Sequence, residues 1–134
     1  LGIVRKPASY GSGTYNEIAY SPLAHVKTVK EVEDYSWPSP DWFDMSHLRE
    51  KIKRVNDEHR HAILFFAGGA FETPWYMRGL VRFLTDLVEC PEIAEAISRR
   101  AAQFYKERAM RAIEASDGRS ISSAAAVTSA HRGA

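Results

Sequence analysis

Residues 61–80 read "HAILFFAGGAFETPWYMRGL", and the order of these residues decides the fold class. The run "HAILFFA" is too short and too continuously apolar for a surface element. It predicts a strand buried on both faces, the kind that parallel sheets hold between layers of helices. Gly68 and Gly69 then lead out of the strand. Thr73 as N-cap and Pro74 as first helical residue predict the start of a helix. Strand, glycine pair and helix in that order form the pocket-facing rim of barrels and open parallel sheets.

Downstream, Met77, Leu80, Val81, Leu84, Leu87 and Val88 recur at helical spacing and predict one broad apolar stripe on a single helix. Cys90-Pro91 ends it and opens the next helix, which runs to about Ser116 with Ile93, Ile97, Ala101, Phe104, Met110 and Ile113 on its apolar face. Glu95 and Arg99 have the spacing of an i, i+4 ion pair. Gly118 is expected in the left-handed position after that helix. "SIS", residues 120–122, begins a strand that dissolves into alanines.

Upstream, residues 3–5 and 16–20 predict two short strands around a Gly-Ser-Gly turn. Thr28 and Glu31 have capping-box spacing and predict a short helix. "WPSPDW" forces an extended or turn conformation, because the residue before each proline is pushed from the helical region. Trp37 and Trp42 bracket these prolines, either packing the turn down or standing at the rim of a pocket. Leu48, Ile52 and Val55 mark the inner face of a further helix with Ser46 as its cap, and the "REKIKR" charges form its solvated face. Strand material, two helices, a strand, two helices and an incomplete strand together indicate an α/β chain built on a parallel sheet or barrel.

The 134 residues, 45% hydrophobic with a formal net charge of +1, suit one globular domain. So balanced a charge argues against a nucleic-acid or membrane-surface binder. No apolar run is long enough to span a bilayer. A single cysteine, Cys90, excludes an internal disulfide and fits a reducing cytoplasm. It reads as a small buried hydrophobe rather than a nucleophile. The chain opens on Leu1 within "LGIV" and closes on "SISSAAAVTSAHRGA", so both ends read as cut.

The glycine loop carries the chemistry the sequence offers. Tyr76, in the first helical turn, is a phenol able to donate to a developing anion. Glu72 is able to accept a proton or hold a cation, and first-turn N–H groups favour an anion such as a carboxylate. The plainer reading stands beside this one: a tight Gly-Gly turn, Glu72 set against the helix dipole, and Tyr76 in the core. His59 and His61 alternate onto one side of a strand start, but two histidines without a third ligand do not make a zinc site.

Three segments, "PLAHVKTVKEVEDYSWPSPDWFDMSHL", "FFAGGAFETPWYMRGLVRFLTDLVECPEIAEAI" and "AIEASDGR", resemble the uroporphyrinogen decarboxylase superfamily, which includes corrinoid-dependent methyltransferases. The likeness covers residues 2–119 and only part of the family's barrel. It implies an α/β chain that is a partial, helix-rich piece of a (β/α)8 TIM-type barrel over residues 1–119. The implied parent is a cytoplasmic lyase that removes carboxylates from an anionic tetrapyrrole in porphyrin biosynthesis. Catalytic roles fall on Tyr76 and Glu72, and substrate contacts on Phe66, Gly68, Gly69 and Phe71. Phe65 replaces the first glycine of the family's loop, and "GAFE" replaces its Ala-Pro-Trp-Thr portion.

The fragment itself is expected to carry no cofactor or metal. A methyltransferase relative would use zinc and a corrinoid, and a third reading is a non-catalytic binding module. Read one nucleotide earlier, residues 123–134 are compatible with the family's Ser-Gly-Gly-Asp strand. This implies a frameshift near Ser120–Ser123 and a poorly ordered tail over residues 120–134. A partial barrel leaves open sheet edges, which favour self-association.

Overall fold

The chain opens in a hairpin because its β-branched and aromatic residues flank a glycine-rich turn. In the computed structural model, which describes residues 1–58, 61–117 and 120–122, strands β1 (Val4–Ser9) and β2 (Thr14–Tyr20) pair antiparallel. Both extend further toward the turn than the sequence predicts. Helix α1 (Val29–Glu33) follows, then a 3-10 turn at Pro40–Trp42, helix α2 (Leu48–Val55) and strand β3 (Ile63–Phe65). Helices α3 (Glu72–Arg78), α4 (Leu80–Glu89) and α5 (Pro91–Ala115) lead to strand β4 (Ser120–Ser122). Among the described residues, no helix is long and apolar enough to cross a membrane.

The chain divides into two compact units. Leu1–Trp37 with Phe71–Arg100 forms the first, and Pro38–Ala70 with Ala101–Ala134 forms the second. The first unit has its own core of Leu23, Val32, Met77, Ile93, Ala96 and Ile97, with Cys90 and Trp37 packed against it. Here the Thr28–Glu31 box forms as the spacing predicts. The Thr28 hydroxyl accepts from the Glu31 N–H at 3.2 Å, and the Glu31 carboxylate accepts from the Thr28 N–H at 2.9 Å. Trp37 is pinned by its Nε1–H, which donates to the Val32 carbonyl at 2.8 Å.

Two expectations for residues 71–90 are overturned. The helix starts at Glu72 with Phe71 as N-cap, so Thr73 lies inside its first turn rather than capping it. The long helix is broken at Gly79, whose φ of 88° is costly for any residue with a Cβ. The stripe of Leu80, Val81, Leu84, Leu87 and Val88 is then exposed, Val81 at 79% and Val88 at 84%, while Phe83 and Asp86 face inward.

The reason is electrostatic. Arg78 is fully buried, and its Nε donates to Asp86 Oδ2 at 2.6 Å. Its Nη1 donates to the carbonyls of Leu23 at 2.7 Å and Val26 at 2.8 Å. A buried guanidinium without its carboxylate costs several kcal/mol, so Asp86 must turn inward and α4 rotates with it.

In the second unit, β3 and β4 pair parallel, with Ile63 opposite Ser120 and Phe65 opposite Ser122. This is the pairing that parallel α/β sheets require. The strand is not buried on both faces as expected: Leu64 and the following Phe66 are exposed, at 69% and 72%. Only three residues of β3 are paired, and among the described residues of this unit the ladder is two strands wide.

Helix α2 also departs from its predicted start. Its N-cap is His47 without a side-chain cap, while the Ser46 N–H donates to Asp44 Oδ1 at 2.8 Å. Ile52 is buried but Val55 is exposed, and the charged face is exposed as predicted. Asn56 closes the turn after α2 by imitating a strand. Its Nδ2 donates to the His61 carbonyl at 2.7 Å, and its Oδ1 accepts from the His61 N–H at 3.0 Å.

Helix α5 begins at Pro91 and reaches Ala115, close to its predicted limits. Ile93, Ile97, Ala101 and Phe104 are buried as expected, but Met110 is exposed. Ala109 and Ala112 are buried instead, because the small side chains take the inner positions there. His59, Gly118 and residues 123–134 lie outside the described residues.

Candidate functional site

Of the six residues singled out in the sequence, Phe71, Glu72 and Tyr76 belong to the first unit, and Phe66, Gly68 and Gly69 to the second. In the first unit, Glu72 is exposed in the opening turn of α3. Tyr76 is half-buried, its ring 4.0 Å from that of Trp75 between centroids, with the Arg5 guanidinium 4.8 Å over its face. The ring is thus held by packing and a cation–π contact. No hydrogen bond among the described residues joins Glu72 to Tyr76. Phe71 sets its exposed ring edge-on to Phe83 at 6.0 Å.

In the second unit, Gly68 has φ 138°, and a Cβ placed on it would lie 2.1 Å from the Tyr105 ring. Glycine is therefore required at position 68 by backbone and packing alike. Gly69 is half-buried, and Phe66 stands in solvent. Among the described residues, no group of three His, Cys, Asp or Glu side chains is placed to hold a metal.

The second unit carries a site that the sequence reading left dispersed. An open cleft of about 490 Å³ lies between the start of α2, β3 and α5. Trp42, Phe43 and Phe65 supply its aromatic surfaces. His47 and Lys51, one turn apart, supply nitrogen donors from the start of α2, and Arg108 supplies another from α5. Trp42 thus has the rim position that the sequence left as one alternative, and it is exposed.

Arg108 is the centre of this arrangement. Its guanidinium carbon lies 4.6 Å from the Phe43 ring centroid and 5.6 Å from those of Phe65 and Phe104. Its Nη1 donates to the Ala67 carbonyl at 3.1 Å, while its buried Nε has no hydrogen-bond partner among the described residues. Among the described residues, no carboxylate lies within ion-pair distance of Arg108 or Lys51. Two other arginines of this unit are paired: Arg111 meets Asp41 at 2.7 Å, and Arg49 meets Asp117.

Asp44, the one acid among the described residues that line the cleft, is already engaged by its neighbours. Ser46, through its hydroxyl and its backbone N–H, holds the Asp44 carboxyl below the usual carboxylate range, and His47 lies 3.6 Å away. The aromatic triplet and the cations come from positions 42–65 and 108, so no local motif announces them. The residue types were visible, and Trp42 was the one available pointer. No protein-family model, curated protein or solved structure matches this chain.

Proposed function

We propose that this chain is part of a parallel (β/α) barrel related to the uroporphyrinogen decarboxylases, and that these 134 residues do not turn over substrate by themselves. The parallel pairing of β3 with β4, separated in the chain by three helices, is the observation that carries this reading. It is supported by apolar surface that an intact barrel covers: Leu64 and Phe66 in the second unit, and the α4 stripe in the first. In the intact enzyme the substrate is an anionic tetrapyrrole. The Tyr76 hydroxyl donates to charge developing on it, and Glu72 exchanges a proton with it. Phe66, Gly68, Gly69 and Phe71 shape the approach. The uncovered strand edges and the α4 stripe make the isolated chain self-associate.

Two measurements test the proposal. Purified chain incubated with uroporphyrinogen is expected to yield no decarboxylated product by chromatography of the oxidised porphyrins, and turnover would overturn the claim of inactivity. The DNA through codons 119–134 and several hundred bases on each side is expected to continue, in the neighbouring frame, into further strands and helices. Stop codons in every frame would sink the barrel reading. A non-catalytic binding role is the second reading, favoured by the cleft around Arg108, which stands within the second unit alone.

A further inference from the structure

We propose that the cleft between α2, β3 and α5 binds a flat aromatic carboxylate, its ring against Trp42 and Phe65 and its carboxylate answering Arg108 and Lys51. This site does not depend on the barrel reading or on Tyr76 and Glu72. Three observations converge on it. The walls are aromatic and partly solvent-exposed, an arrangement that favours a planar apolar body. The guanidinium is held among three rings, where reduced solvent screening strengthens its attraction for an anion.

That charge is also unanswered. Arg108 meets one carbonyl and no carboxylate among the described residues, while Asp44, the cleft's own acid, is taken up by Ser46 and His47. The guanidinium held 4.6 Å from the Phe43 ring centroid is a planar fork, and a carboxylate pairs with such a fork more selectively than with a lysine. A volume of about 490 Å³ accommodates a bicyclic ring with room for water. Because the cleft is open to solvent, a small ligand binds weakly, with a Kd on the order of 1 mM.

The test is an NMR titration of the full chain with 2-naphthoate, following the Trp42 indole N–H and the Arg108 side chain. The neutral isostere 2-naphthalenemethanol and the non-planar anion cyclohexanecarboxylate serve as comparisons. Saturable shifts of both residues are expected with naphthoate, and at least about tenfold weaker binding with either comparison ligand. Arg108→Gln is expected to raise Kd about tenfold and Lys51→Gln about threefold. If circular dichroism shows Arg108→Gln to be unfolded, the exposed Lys51→Gln variant and the neutral isostere decide. The proposal is overturned by the absence of saturation up to about 10 mM, tenfold above the expected Kd. It is equally overturned if the alcohol binds as tightly as the acid, or if folded Arg108→Gln binds unchanged.

Discussion

Replacing Arg78 by methionine tests whether the buried Arg78–Asp86 pair sets the orientation of α4. Methionine keeps an unbranched apolar stem but removes the cation, leaving Asp86 buried with its Oδ2 unpartnered. Arg82 does not compensate, because its Nε is 4.0 Å from Asp86 Oδ1 and the side chain is exposed. The Leu23 and Val26 carbonyls also lose their donor. Removing one member of a buried ion pair costs about 3–5 kcal/mol, most of it the penalty of the stranded charge. With a urea m-value of about 1.5 kcal/mol/M, the unfolding midpoint falls by about 2–3 M.

The assay is urea denaturation followed by circular dichroism and by tryptophan fluorescence, the chain carrying Trp37 and Trp75 in the same unit. The double variant Arg78→Met/Asp86→Leu is the informative partner. Removing both charges together is often close to neutral, so it is expected to recover most of the loss. Two results would refute the reasoning: a cost below about 1 kcal/mol for Arg78→Met, or a double variant no more stable than the single one.

Three further outcomes are expected. Gly68→Ala destabilises by about 1–3 kcal/mol in the same urea assay, because the new methyl meets the Tyr105 ring and φ 138° is unfavourable for alanine. Gly11→Ala, with nothing near its Cβ position, costs about 1 kcal/mol or less, and equal costs at the two positions would count against the packing argument. Val81→Lys and Val88→Lys change stability by no more than about 0.5 kcal/mol and reduce self-association in sedimentation velocity, since both side chains stand in solvent; a loss of about 2 kcal/mol or more would mean that the stripe is core after all.

Glu31 titrates below its usual 4.5, because its carboxylate accepts first from the Lys27 N–H and then from Thr28. A carboxyl lowered in the folded state stabilises above its unfolded pKa. The contribution of the box to α1 is therefore full above about pH 4.5 and fades as the pH falls through the lower folded value. A carboxyl-carbon NMR titration with its midpoint at or above 4.5 would remove the box as the cause.

Local chemistry was legible wherever the partners are close in sequence. The Thr28–Glu31 box, the Gly-Ser-Gly hairpin turn and the Cys90-Pro91 boundary each depend on a few adjacent residues, and each is where the pattern places it. The face of α4 was not legible, for a reason that periodicity cannot repair. Leu80, Val81, Leu84, Leu87 and Val88 show that the apolar residues share an arc, but not that the arc is covered. Coverage is decided by Arg78 and Asp86, and an arginine next to a glycine gives no sign in sequence that it will be buried. The start of α3 failed for a related reason. Thr73-Pro74 is a good opening pair, yet the helix starts two residues earlier, at Glu72, with Phe71 as N-cap and its ring edge-on to Phe83.

The same limit separates the glycine loop, which is legible in the sequence, from the cleft, which is not. A loop between strand and helix is contiguous, so its glycines, acid and phenol are read together whether or not the fold gives them a common purpose. In the structure, Gly68 is already explained by Tyr105, and Tyr76 by Trp75 and Arg5, so these residues have packing roles that stand without any substrate. Arg108 is the opposite case. Its stacking on Phe43 accounts for where it sits, but not for a cation kept beside aromatic walls while Arg49 and Arg111 in the same unit each have a carboxylate. A position whose neighbours account for its geometry but not for its charge is the stronger place to look for a ligand. That difference was invisible until residues 42–51 and 108 were brought to one surface.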